Sequence, residues 1–592
     1  MLKDLKPRIY QETILATCAN KNSLVVLPTG LGKTLISMML TILRLKKFPD
    51  SKILMLAPTK PLCEQHQRSF QKHLDIDDEK IICFTGNVKP ETRAEMWNDA
   101  RIIISTPQSI ENDIINERIS FSEVSLLVFD ESHHATKDYS YVWLAKQYMK
   151  QSKNPRVLAL TASPGSEMEK IKEVCSNLFI ESIEVRSDTD SDVKPYMQIT
   201  DNNFVLLDFP LQYLALHKML TECYSSKLKA IKALGYCDKL GLNKSQALRL
   251  QKELQRELGK DHSNFDVMKS LSLLAEALKI EHALGLLECQ GVHACHDYLK
   301  DLQSQSGKSK VKAVKNLVCD VNFKSALHAA GRLVEEKVVH PKLPTMIKLV
   351  QEEIVKDANV KILLFSQFRD TAAQIVDALK LQRIHAQVFV GQAKKKGVGM
   401  TQKVQRQVLE QFREGEFPVL VATSVAEEGL DIPRVNKVIF YEPTPSAIRS
   451  IQRRGRTGRS ERGEVTVLVT KGTRDEAYRW AAHHKEKRMY SYLDDLKRIK
   501  EKLVIGSEVK KDIVEKENMT LNSFVNPEKE VVTIVCDHRE KDNAIVKSLI
   551  DMGLSVRLAQ LDSADYVVAG KVAVEAKKTD DFVNSLLDGR LL

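Results

Sequence analysis

The sequence predicts an α/β protein with two parallel-sheet domains, a helical insertion between them and a short α/β segment after residue 530. Two series of short apolar runs alternate with amphipathic stretches, one between about residues 22 and 204 and one after residue 361. Between the two series the apolar residues recur at helical spacing, and a loop of that length is rare in compact domains. We therefore divide the chain into 1–204, 205–345, 346–498, a charged linker 499–529 and 530–592.

Each predicted strand is a short apolar run, and nearly every run of the first series leads into a polar motif. Parallel sheets bind ligands at the carboxyl ends of their strands, so these motifs are expected along one edge. The first series comprises residues 24–27, 52–57, 81–84, 101–105, 125–129 and 156–160. The second comprises residues 362–365, 386–390, 418–422, 436–441 and 464–470.

Composition favours a folded protein with a polyanionic partner. The 592 residues carry a formal net charge of +11. The first four residues, Met1 to Asp4, are unlike a signal peptide, and no apolar run has the length of a membrane-spanning helix. The ten cysteines are scattered without a CxxC pair, which predicts free thiols and a cytoplasmic location.

A glycine-rich turn follows the first strand and has the residues of a phosphate-binding loop. Backbone N–H groups of such a turn, and the N-terminus of the next helix, face bound phosphate. Lys33 would reach the β- and γ-phosphates and the Thr34 hydroxyl would hold Mg²⁺. Leu27 stands where the general pattern has its first glycine. The turn consists of Pro28, Thr29, Gly30, Leu31, Gly32, Lys33 and Thr34.

An acidic motif follows the strand at residues 125–129. Asp130 ends this apolar run, where its carboxylate can take part in holding the metal, and Glu131 can orient or deprotonate the attacking water. Together with the phosphate-binding turn, this motif predicts hydrolysis of a nucleoside triphosphate, with ATP and Mg²⁺ as the expected cofactors.

The second series contains a motif that completes such a site. Gln452, Arg456 and Arg459 lie on a predicted helix, where the two arginines could stabilise the transferring phosphoryl group from across a cleft. A basic helix on nucleic acid is the alternative. Gly429 and Asp431 belong to a strand-to-turn element that faces the same cleft.

Small hydroxyl residues recur at strand ends and predict contacts to the phosphates of a single nucleic-acid strand. Hydroxyls and free backbone N–H groups hold the sugar–phosphate chain without reading bases. The residues concerned are Thr59, Thr85, Gly86, Thr106, Pro107 and Thr423.

In this order, the motifs resemble those of superfamily 2 helicases over roughly the first 490 residues. The resemblance implies two RecA-like domains that clamp ATP between them and step along one strand. It implies that Gln11 recognises adenine. It also implies that His133, Thr161 and Ser163 couple nucleotide state to strand position.

The helical insertion resembles that of the archaeal Hef and eukaryotic FANCM group, and also that of the RNA-sensor and Dicer helicases. In those families it acts as a thumb against duplex. Residues 227–260 hold nine Lys or Arg against three acids, a charge that would attract duplex backbone. A merely solvated helix face is the alternative.

The last segment resembles the start of an XPF-type nuclease. By that similarity Asp537, Asp565 and Glu575 would lie at a divalent metal, with Lys577 stabilising charge. The family's Glu-Arg-Lys triplet has Ala576 at its centre here, and about sixty residues are too few for the whole domain. The sequence is therefore either a fragment or a degenerate nuclease. The alternative is that Asp565 and Glu575 simply flank turns in a residual α/β unit.

The stretch from Asn518 to Val525 resembles a sliding-clamp peptide, although both of its end residues depart from that pattern.

The sequence as a whole predicts an ATP-dependent DNA helicase or translocase that acts on forked or branched DNA, with a partial or degenerate nuclease module. A double-stranded RNA translocase is the nearest alternative. A non-catalytic scaffold for branched DNA is the alternative of another class.

Overall fold

A computed structural model describes residues 2–3, 5–162, 168–187, 190–196, 200–238, 241–242, 244–260, 263–307, 312–391, 399–423, 432–433, 435–444, 463–499, 533–540, 544–561, 564–577, 579, 582 and 585–586. The described residues form three β-sheets, and the chain divides into two compact units. The first unit is made mainly of residues 1–197 and 486–592, and the second of residues 198–428 and 432–485.

The first unit is built around a wholly parallel sheet of seven strands. The strands are β1 (Ser23–Val26), β2 (Lys52–Leu56), β3 (Ile81–Phe84), β4 (Ile102–Ser105), β5 (Val124–Phe129), β6 (Val157–Thr161) and β7 (Ser182–Val185). Their order in the sheet is β3-β4-β2-β5-β6-β1-β7. The six predicted strands are confirmed, whereas β7 was not predicted. Strands β1, β2 and β4–β6 are buried along their whole length, as expected where helices cover both faces.

The helices of this sheet follow the strands in alternation. They are α1 (Ile9–Asn20), α2 (Lys33–Lys47), α3 (Lys60–His73), α4 (Pro90–Asp99), α5 (Pro107–Ile115), α6 (Ser140–Gln151) and α7 (Met168–Asn177). The strand order places β6 between β1 and β5. The turn after β1 and the acidic motif after β5 therefore flank the carboxyl end of β6.

The second unit contains a parallel sheet of six strands in the order β10-β11-β9-β12-β13-β8. The strands are β8 (Thr200–Leu207), β9 (Ile362–Phe365), β10 (Ala386–Phe389), β11 (Val419–Ala422), β12 (Lys437–Phe440) and β13 (Gly463–Thr470). The five predicted strands are confirmed. The edge strand β8 was missed because its first half is polar, and it pairs with β13 over all eight residues. The predicted boundary at residue 204 falls inside this strand.

The predicted helical insertion is confirmed as a bundle. Its helices are α8 (Leu211–Ala233), α9 (Lys244–Lys260), α10 (Phe265–Cys289), α11 (Val292–Ser306), α12 (Lys312–Cys319), α13 (Val321–Glu335) and α14 (Lys342–Lys356). Helices α8 and α10 pack against each other around Leu216, Leu220, Ile280 and Leu287. Further helices among the described residues are α15 (Arg369–Leu381), α16 (Gln402–Glu414) and α17 (Arg474–Ile499), the last of which runs from the second unit into the first at residue 486.

Buried ion pairs join the bundle to the sheet of the second unit. Lys342, at the start of α14, lies with its Nζ atom 2.5 Å from Oδ2 of Asp475, and neither side chain is more than 1% exposed. The neighbouring Arg474 donates to the carbonyl oxygen of Glu281 and lies 3.3 Å from Oε2 of Glu288 on α10. Such pairs fix orientation, since breaking either one leaves a charge in a dry environment.

The last sheet is small and mixed. Its strands, in the order β15-β14-β16-β17, are β14 (Thr533–Asp537), β15 (Ser555–Ala559), β16 (Tyr566–Val568) and β17 (Val572–Val574), and α18 (Ala544–Asp551) precedes β15. Helix α18 lies against the first sheet's helices. The Nζ atom of Lys547 is 2.6 Å from Oε1 of Glu111 on α5, and Gln147 on α6 donates to Asp551 at 2.7 Å.

All ten cysteines are free thiols, as predicted. Within the described ranges, no helix combines the length and the apolar character needed to cross a bilayer.

The buried pair of Lys342 and Asp475 gives a test of how the second unit is held together. Replacing Lys342 by Met leaves the Asp475 carboxylate buried without its cation, which costs about 3–5 kcal/mol. We expect the thermal unfolding midpoint, followed by circular dichroism, to fall by several degrees. The double variant Lys342→Met, Asp475→Asn should recover most of this loss. Lys348→Met, on the exposed face of α14, is the control and should leave the midpoint unchanged.

Candidate active site

The turn between β1 and α2 has the backbone conformation of an anion-binding loop. Gly30 has φ +85° and Gly32 has φ +76°, values in the left-handed region that glycine adopts without a steric penalty. Gly32 is the N-cap of α2, so the unpaired N–H groups of the first helical turn lie directly after the loop. A Cβ atom at Gly32 would lie 2.5 Å from Nε2 of Gln11. The backbone conformation therefore favours glycine here, and a Cβ atom would in addition displace the Gln11 amide.

Helix α1 supports this loop through two buried side chains. Tyr10 donates from its hydroxyl to the carbonyl oxygen of Leu31 at 2.8 Å, and Gln11 donates from Nε2 to the same oxygen at 3.0 Å. The amide oxygen of Gln11 accepts from the N–H of Arg8 at 2.9 Å. Burial raises the pKa of Tyr10, which keeps its hydroxyl protonated as a donor. The predicted residue Gln11 thus lies at the loop, and Tyr10 is a supporting residue that the sequence motif did not reveal.

Lys33 is the first residue of α2, and its ammonium group donates to the carbonyl oxygen of Leu27 at 3.1 Å. This contact holds the Lys33 head group back over the loop that precedes it. Thr34 follows in the first turn of the helix, and its carbonyl oxygen accepts from the Ser37 hydroxyl. The positive charge and the loop N–H groups lie together at the carboxyl edge of the sheet, where a phosphate group would be attracted.

The Asp130 carboxylate is buried at the end of β5 and is held by His66 of α3. Nε2 of His66 lies 2.7 Å from Oδ2 of Asp130, and an ionised carboxylate can only accept, so the imidazole donates. Burial alone would raise the pKa of Asp130. The hydrogen bond and charge of His66, with the charge of Lys33, outweigh burial and hold that pKa below its usual value. Asp130 is therefore kept as an anion beside the loop.

The backbone of Asp130 is fixed separately from its side chain. The hydroxyl of Tyr141 donates to the carbonyl oxygen of Asp130 at 2.8 Å and lies 3.2 Å from that of Leu56 at the end of β2. Burial raises the pKa of Tyr141 well above its usual value, so the hydroxyl stays protonated. His66 and Tyr141 are both contacts that sequence reasoning missed. The signal for His66 was a lone imidazole in the buried stripe of α3 between Cys63 and Phe70.

Glu131 has φ +46°, an unfavourable backbone conformation for a residue with a Cβ. Its Oε2 atom lies 3.3 Å from Nδ1 of His133, and the same ring nitrogen is 3.3 Å from the hydroxyl of Thr161 at the end of β6. The structure thus brings His133 and Thr161 into contact, while their predicted role in coupling nucleotide state to strand position stays a prediction. The strained backbone turns the Glu131 carboxylate back toward this cluster.

The donor set at this edge fits a magnesium ion. Mg²⁺ prefers one or two protein oxygens together with substrate phosphates, and it keeps several waters. Thr34 supplies a hydroxyl at the loop and Asp130 supplies an ionised carboxylate. The low pKa of Asp130 is the property that a metal-binding carboxylate needs.

Several residues predicted to contact nucleic acid lie at the same edge. Thr59 is the N-cap of α3 and Thr106 is the N-cap of α5, where Pro107 follows as the first helical residue. The Thr59 hydroxyl is buried and has no hydrogen-bond partner among the described residues, whereas that of Thr106 lies 2.9 Å from the Ser109 hydroxyl. Thr85 and Gly86 directly follow β3. In the second unit, Thr423 directly follows β11.

The residues of the predicted nuclease-like metal site lie on the last sheet, and each of the acids has its own surroundings. Both carboxylate oxygens of Asp537 are occupied, because Arg539 donates to Oδ1 from its N–H and Nε and to Oδ2 from Nη2, and Leu561 donates to Oδ2 from its N–H. The hydrogen bonds from Arg539 lower the pKa of Asp537 strongly. Asp565 accepts from the N–H of Ala576 at 2.7 Å, while Glu575 and Lys577 are exposed. No three acidic, His or Cys residues in the described part of the chain form a metal-binding group.

Other predicted site residues lie outside the described residues. They are Gly429, Asp431, Gln452, Arg456, Arg459, Ser163 and the stretch from Asn518 to Val525.

Four segments of the chain match known families. Residues 8–171 match the DEAD/DEAH box helicase family and residues 344–461 match the helicase conserved C-terminal domain. Residues 212–340 match the helical bundle of a putative ATP-dependent RNA helicase, and residues 536–592 match the ERCC4 domain.

Whole-chain comparisons agree with these families. A putative ATP-dependent RNA helicase of Methanocaldococcus jannaschii is 37% identical over 640 residues, which covers 100% of this chain and 80% of that protein. The ATP-dependent DNA helicase MPH1 of Pyricularia oryzae is 31% identical over 81% of this chain and 45% of its own length. The ATP-dependent DNA helicase fml1 of Schizosaccharomyces pombe is 30% identical over 78% of this chain and 57% of its own. This chain thus spans about half the length of these two fungal relatives.

Among solved structures, the Hef helicase domain of Pyrococcus furiosus is similar to this chain with a TM-score of 0.66 and 46% identity. The match covers 80% of this chain and 98% of the Hef domain.

The contact between Gly32 and Gln11 predicts the effect of a single added methyl group. Gly32→Ala places a Cβ against Nε2 of Gln11 at a backbone conformation that costs about 1–3 kcal/mol for other residues. We expect at least a tenfold loss of affinity for a fluorescent ATP analogue, measured by titration.

The matched control for Gly32→Ala is Gly307→Ala in the second unit. Gly307 has an ordinary φ of −71°, and an added Cβ would meet no described atom within 4 Å. The Gly307→Ala variant should bind the ATP analogue with the affinity of the unmodified protein. Equal affinity in Gly32→Ala would contradict the assignment of this loop as the phosphate site.

Proposed function

The chain belongs to the Hef and FANCM-like family of superfamily 2 helicases and is an ATP-dependent helicase; from this premise we propose that it acts on branched or forked DNA. The observation that carries the proposal is the convergence of the loop, Lys33, Asp130 and the His133–Thr161 contact at one sheet edge. In this proposal these groups bind the nucleotide in the ATPase site. A structural change that accompanies ATP hydrolysis is then transmitted to residues at neighbouring strand ends.

Within the first unit, the chemistry divides among a few groups. The N–H groups of the loop from Thr29 to Thr34 and the ammonium of Lys33 hold the phosphates of ATP. Gln11 keeps the adenine-recognising role that the family resemblance implies, and its amide contacts the loop at the carbonyl oxygen of Leu31. Glu131, turned back by its strained backbone, orients the attacking water and accepts its proton.

Thr34 and Asp130 are the residues that would hold Mg²⁺. When bound, the ion neutralises charge on the phosphates as hydrolysis proceeds. The roles predicted for Gln452, Arg456, Arg459, Gly429 and Asp431 rest on their sequence motifs. They remain part of the proposal in that form.

The nucleic-acid strand lies, in this proposal, along the helix N-termini at Thr59 and Thr106 and along Thr85 and Gly86, which directly follow β3. Helix N-termini attract phosphate through their unpaired N–H groups and the helix dipole. Such contacts read the sugar–phosphate chain rather than the bases. The helicase would therefore move along DNA of any sequence.

Helix α9 carries a basic stripe that we assign to duplex backbone. We define the stripe as Arg249, Lys252, Arg256 and Lys260, which are exposed and lie on one face because they are spaced by three or four residues. The opposite face, with Ala247 and Leu254, packs into the bundle. By contrast, Lys227, which belonged to the same predicted cluster, pairs with Glu276 and Asp320 inside the bundle and is structural.

The choice of branched DNA is supported by the relatives and by the last segment. Two of the relatives are named DNA helicases, and residues 536–592 match the ERCC4 domain. The nuclease role of this segment remains a prediction from the sequence. The sliding-clamp contact predicted for residues 518–525 remains a prediction from the sequence.

A double-stranded RNA substrate is the second candidate. It is favoured by the names of the Methanocaldococcus jannaschii relative and of the matched helical bundle, both of which are putative RNA helicases. The insertion holds duplex by charge in either case, so only the response of the enzyme separates the two substrates.

ATP turnover with different nucleic acids tests the substrate directly. We expect forked DNA to stimulate turnover more than linear duplex DNA, and double-stranded RNA to stimulate it least, at low and at moderate salt. Lys33→Ala should abolish turnover in every condition, because the phosphates lose their cation. Stimulation by RNA alone would reject the DNA assignment. Turnover that is unaffected by Lys33→Ala would reject the site.

The basic stripe predicts a salt-dependent contribution to duplex binding. Replacing Arg249, Lys252 and Arg256 together by Gln removes three cations without disturbing the buried face of α9. Each lost phosphate contact lowers the slope of log K against log salt by about 0.9 for duplex DNA, so a reduction of about 2–3 is expected. The measurement is fluorescence anisotropy with a labelled duplex over a salt series.

A charge-matched variant controls for net charge in this experiment. Lys348, Lys380 and Lys403 lie exposed on α14, α15 and α16 of the same unit, and their replacement by Gln removes the same total charge. The control should keep the original slope. Equal slopes for both triple variants would show that the stripe is only a solvated helix face.

A further inference from the structure

We propose that His66 is a positioning residue that couples strand contact at the N-terminus of α3 to the Asp130 carboxylate. The inference rests on the proposed function, since it assigns a regulatory path from the nucleic acid to the ATP site. Its basis is that a single helix, α3, has one end among the predicted strand contacts and a side chain hydrogen-bonded to the acid of the ATP site.

The first end of this path is the start of α3. Thr59 directly precedes the helix as its N-cap, and no described residue bonds its buried hydroxyl. Since buried hydroxyls are normally paired, we expect this one to gain a partner when a ligand binds at the helix N-terminus. A phosphate of the bound strand has the charge and the acceptors to bind there.

The second end of the path lies two helical turns further on. His66 follows Thr59 by seven residues, which brings it to the same face of the helix about 10 Å along the axis. It lies in the buried stripe of Cys63, His66 and Phe70, where the other two members are fully buried. Burying an imidazole among such neighbours is unfavourable without a hydrogen bond. Asp130 supplies that bond at 2.7 Å.

The surroundings of Asp130 determine what a movement of α3 would do. Its backbone is tied to β2 twice, because its N–H donates to the carbonyl oxygen of Leu56 and Tyr141 bridges both carbonyl oxygens. A small shift of α3 would therefore leave the backbone in place and act on the carboxylate alone. His66 would set the carboxylate orientation in response to strand binding, which is what nucleic-acid-stimulated hydrolysis requires.

The alternative is that His66 is an ordinary core histidine with a satisfied hydrogen bond. Three substitutions separate the two. In His66→Gln the side-chain amide reaches the former position of Nε2 and can donate to Asp130. In His66→Asn the amide is one methylene shorter and cannot reach, although the polarity is kept. His66→Ala removes the group altogether.

The experiment measures the ratio of ATP turnover with saturating forked DNA to turnover without nucleic acid, and the dissociation constant for the same fork. We expect the ratio to fall at least tenfold in His66→Ala and His66→Asn, a loss typical of outer-shell partners of a metal-binding group. The dissociation constant should stay within about threefold of the unmodified value. His66→Gln should restore most of the ratio.

Phe70→Leu is the matched control on the same buried stripe. It leaves a small cavity but no change in hydrogen bonding, so it should lower the thermal midpoint and keep the turnover ratio. If His66→Asn lowers ATP turnover equally with and without forked DNA, so that their ratio is unchanged, the proposed coupling is overturned. His66 would then only hold the Asp130 carboxylate in place. If neither the turnover rates nor their ratio change, His66 is an ordinary core histidine and the proposal is rejected.

Failure of the proposed function gives a different result, visible in the unmodified protein. If RNA stimulates turnover and forked DNA does not, the substrate assignment fails and the ratio is measured with RNA, where the same loss in His66→Asn is expected. If no nucleic acid stimulates ATP turnover by the unmodified protein, no coupling exists that His66 could mediate. Both the proposed function and this inference are then rejected.

Discussion

The functional part of this molecule depends on one constraint, the position of β6 between β1 and β5. Because all seven strands are parallel, their carboxyl ends meet at one edge, and this order places the phosphate loop and the acidic motif on either side of Thr161. Residues more than a hundred positions apart thereby come within hydrogen-bonding reach. The loop is tied to β6 directly, since the N–H of Leu27 donates to the carbonyl oxygen of Thr161. A different strand order would separate the same motifs.

The sequence predicted the sheets well because parallel strands are buried on both faces and appear as continuous apolar runs. Eleven predicted strands are present, whereas β7 and β8, at the edges of their sheets, were missed. An edge strand has fewer neighbours, so polar residues such as those in β8 are tolerated there and the apolar pattern is lost. The glycine-rich loop after β1 and the acidic motif after β5 were also predictable, because their chemistry requires particular residues at fixed spacing. The supporting contacts from Tyr10, His66 and Tyr141 were not, because each is made across the fold.

Buried charge is used differently in the two units. In the second unit the pair of Lys342 and Asp475, with Arg474 on Glu281 and Glu288, joins the bundle to the sheet in pairs that neutralise each other. In the first unit the hydrogen bond of His66 and the charge of Lys33 lower the pKa of the buried Asp130 carboxyl and keep it ionised. Full pairing suits a joint that must keep its geometry. Partial pairing suits a group that must still meet a ligand.

The contrast between Asp130 and Asp537 shows why carboxylates in a motif are not sufficient evidence for a metal site. Both end a strand of a sheet, and both have a lowered pKa. Asp537 has two hydrogen bonds on each carboxylate oxygen, from Arg539 and Leu561, so its charge is already satisfied by the protein. The Asp130 carboxylate is held by the His66 bond on Oδ2 and by the backbone of Glu131. The two carboxylates therefore differ in the donors that hold them, and no local sequence pattern specifies these donors. The donor, rather than the acid, is the residue whose replacement should reveal which role each carboxylate has.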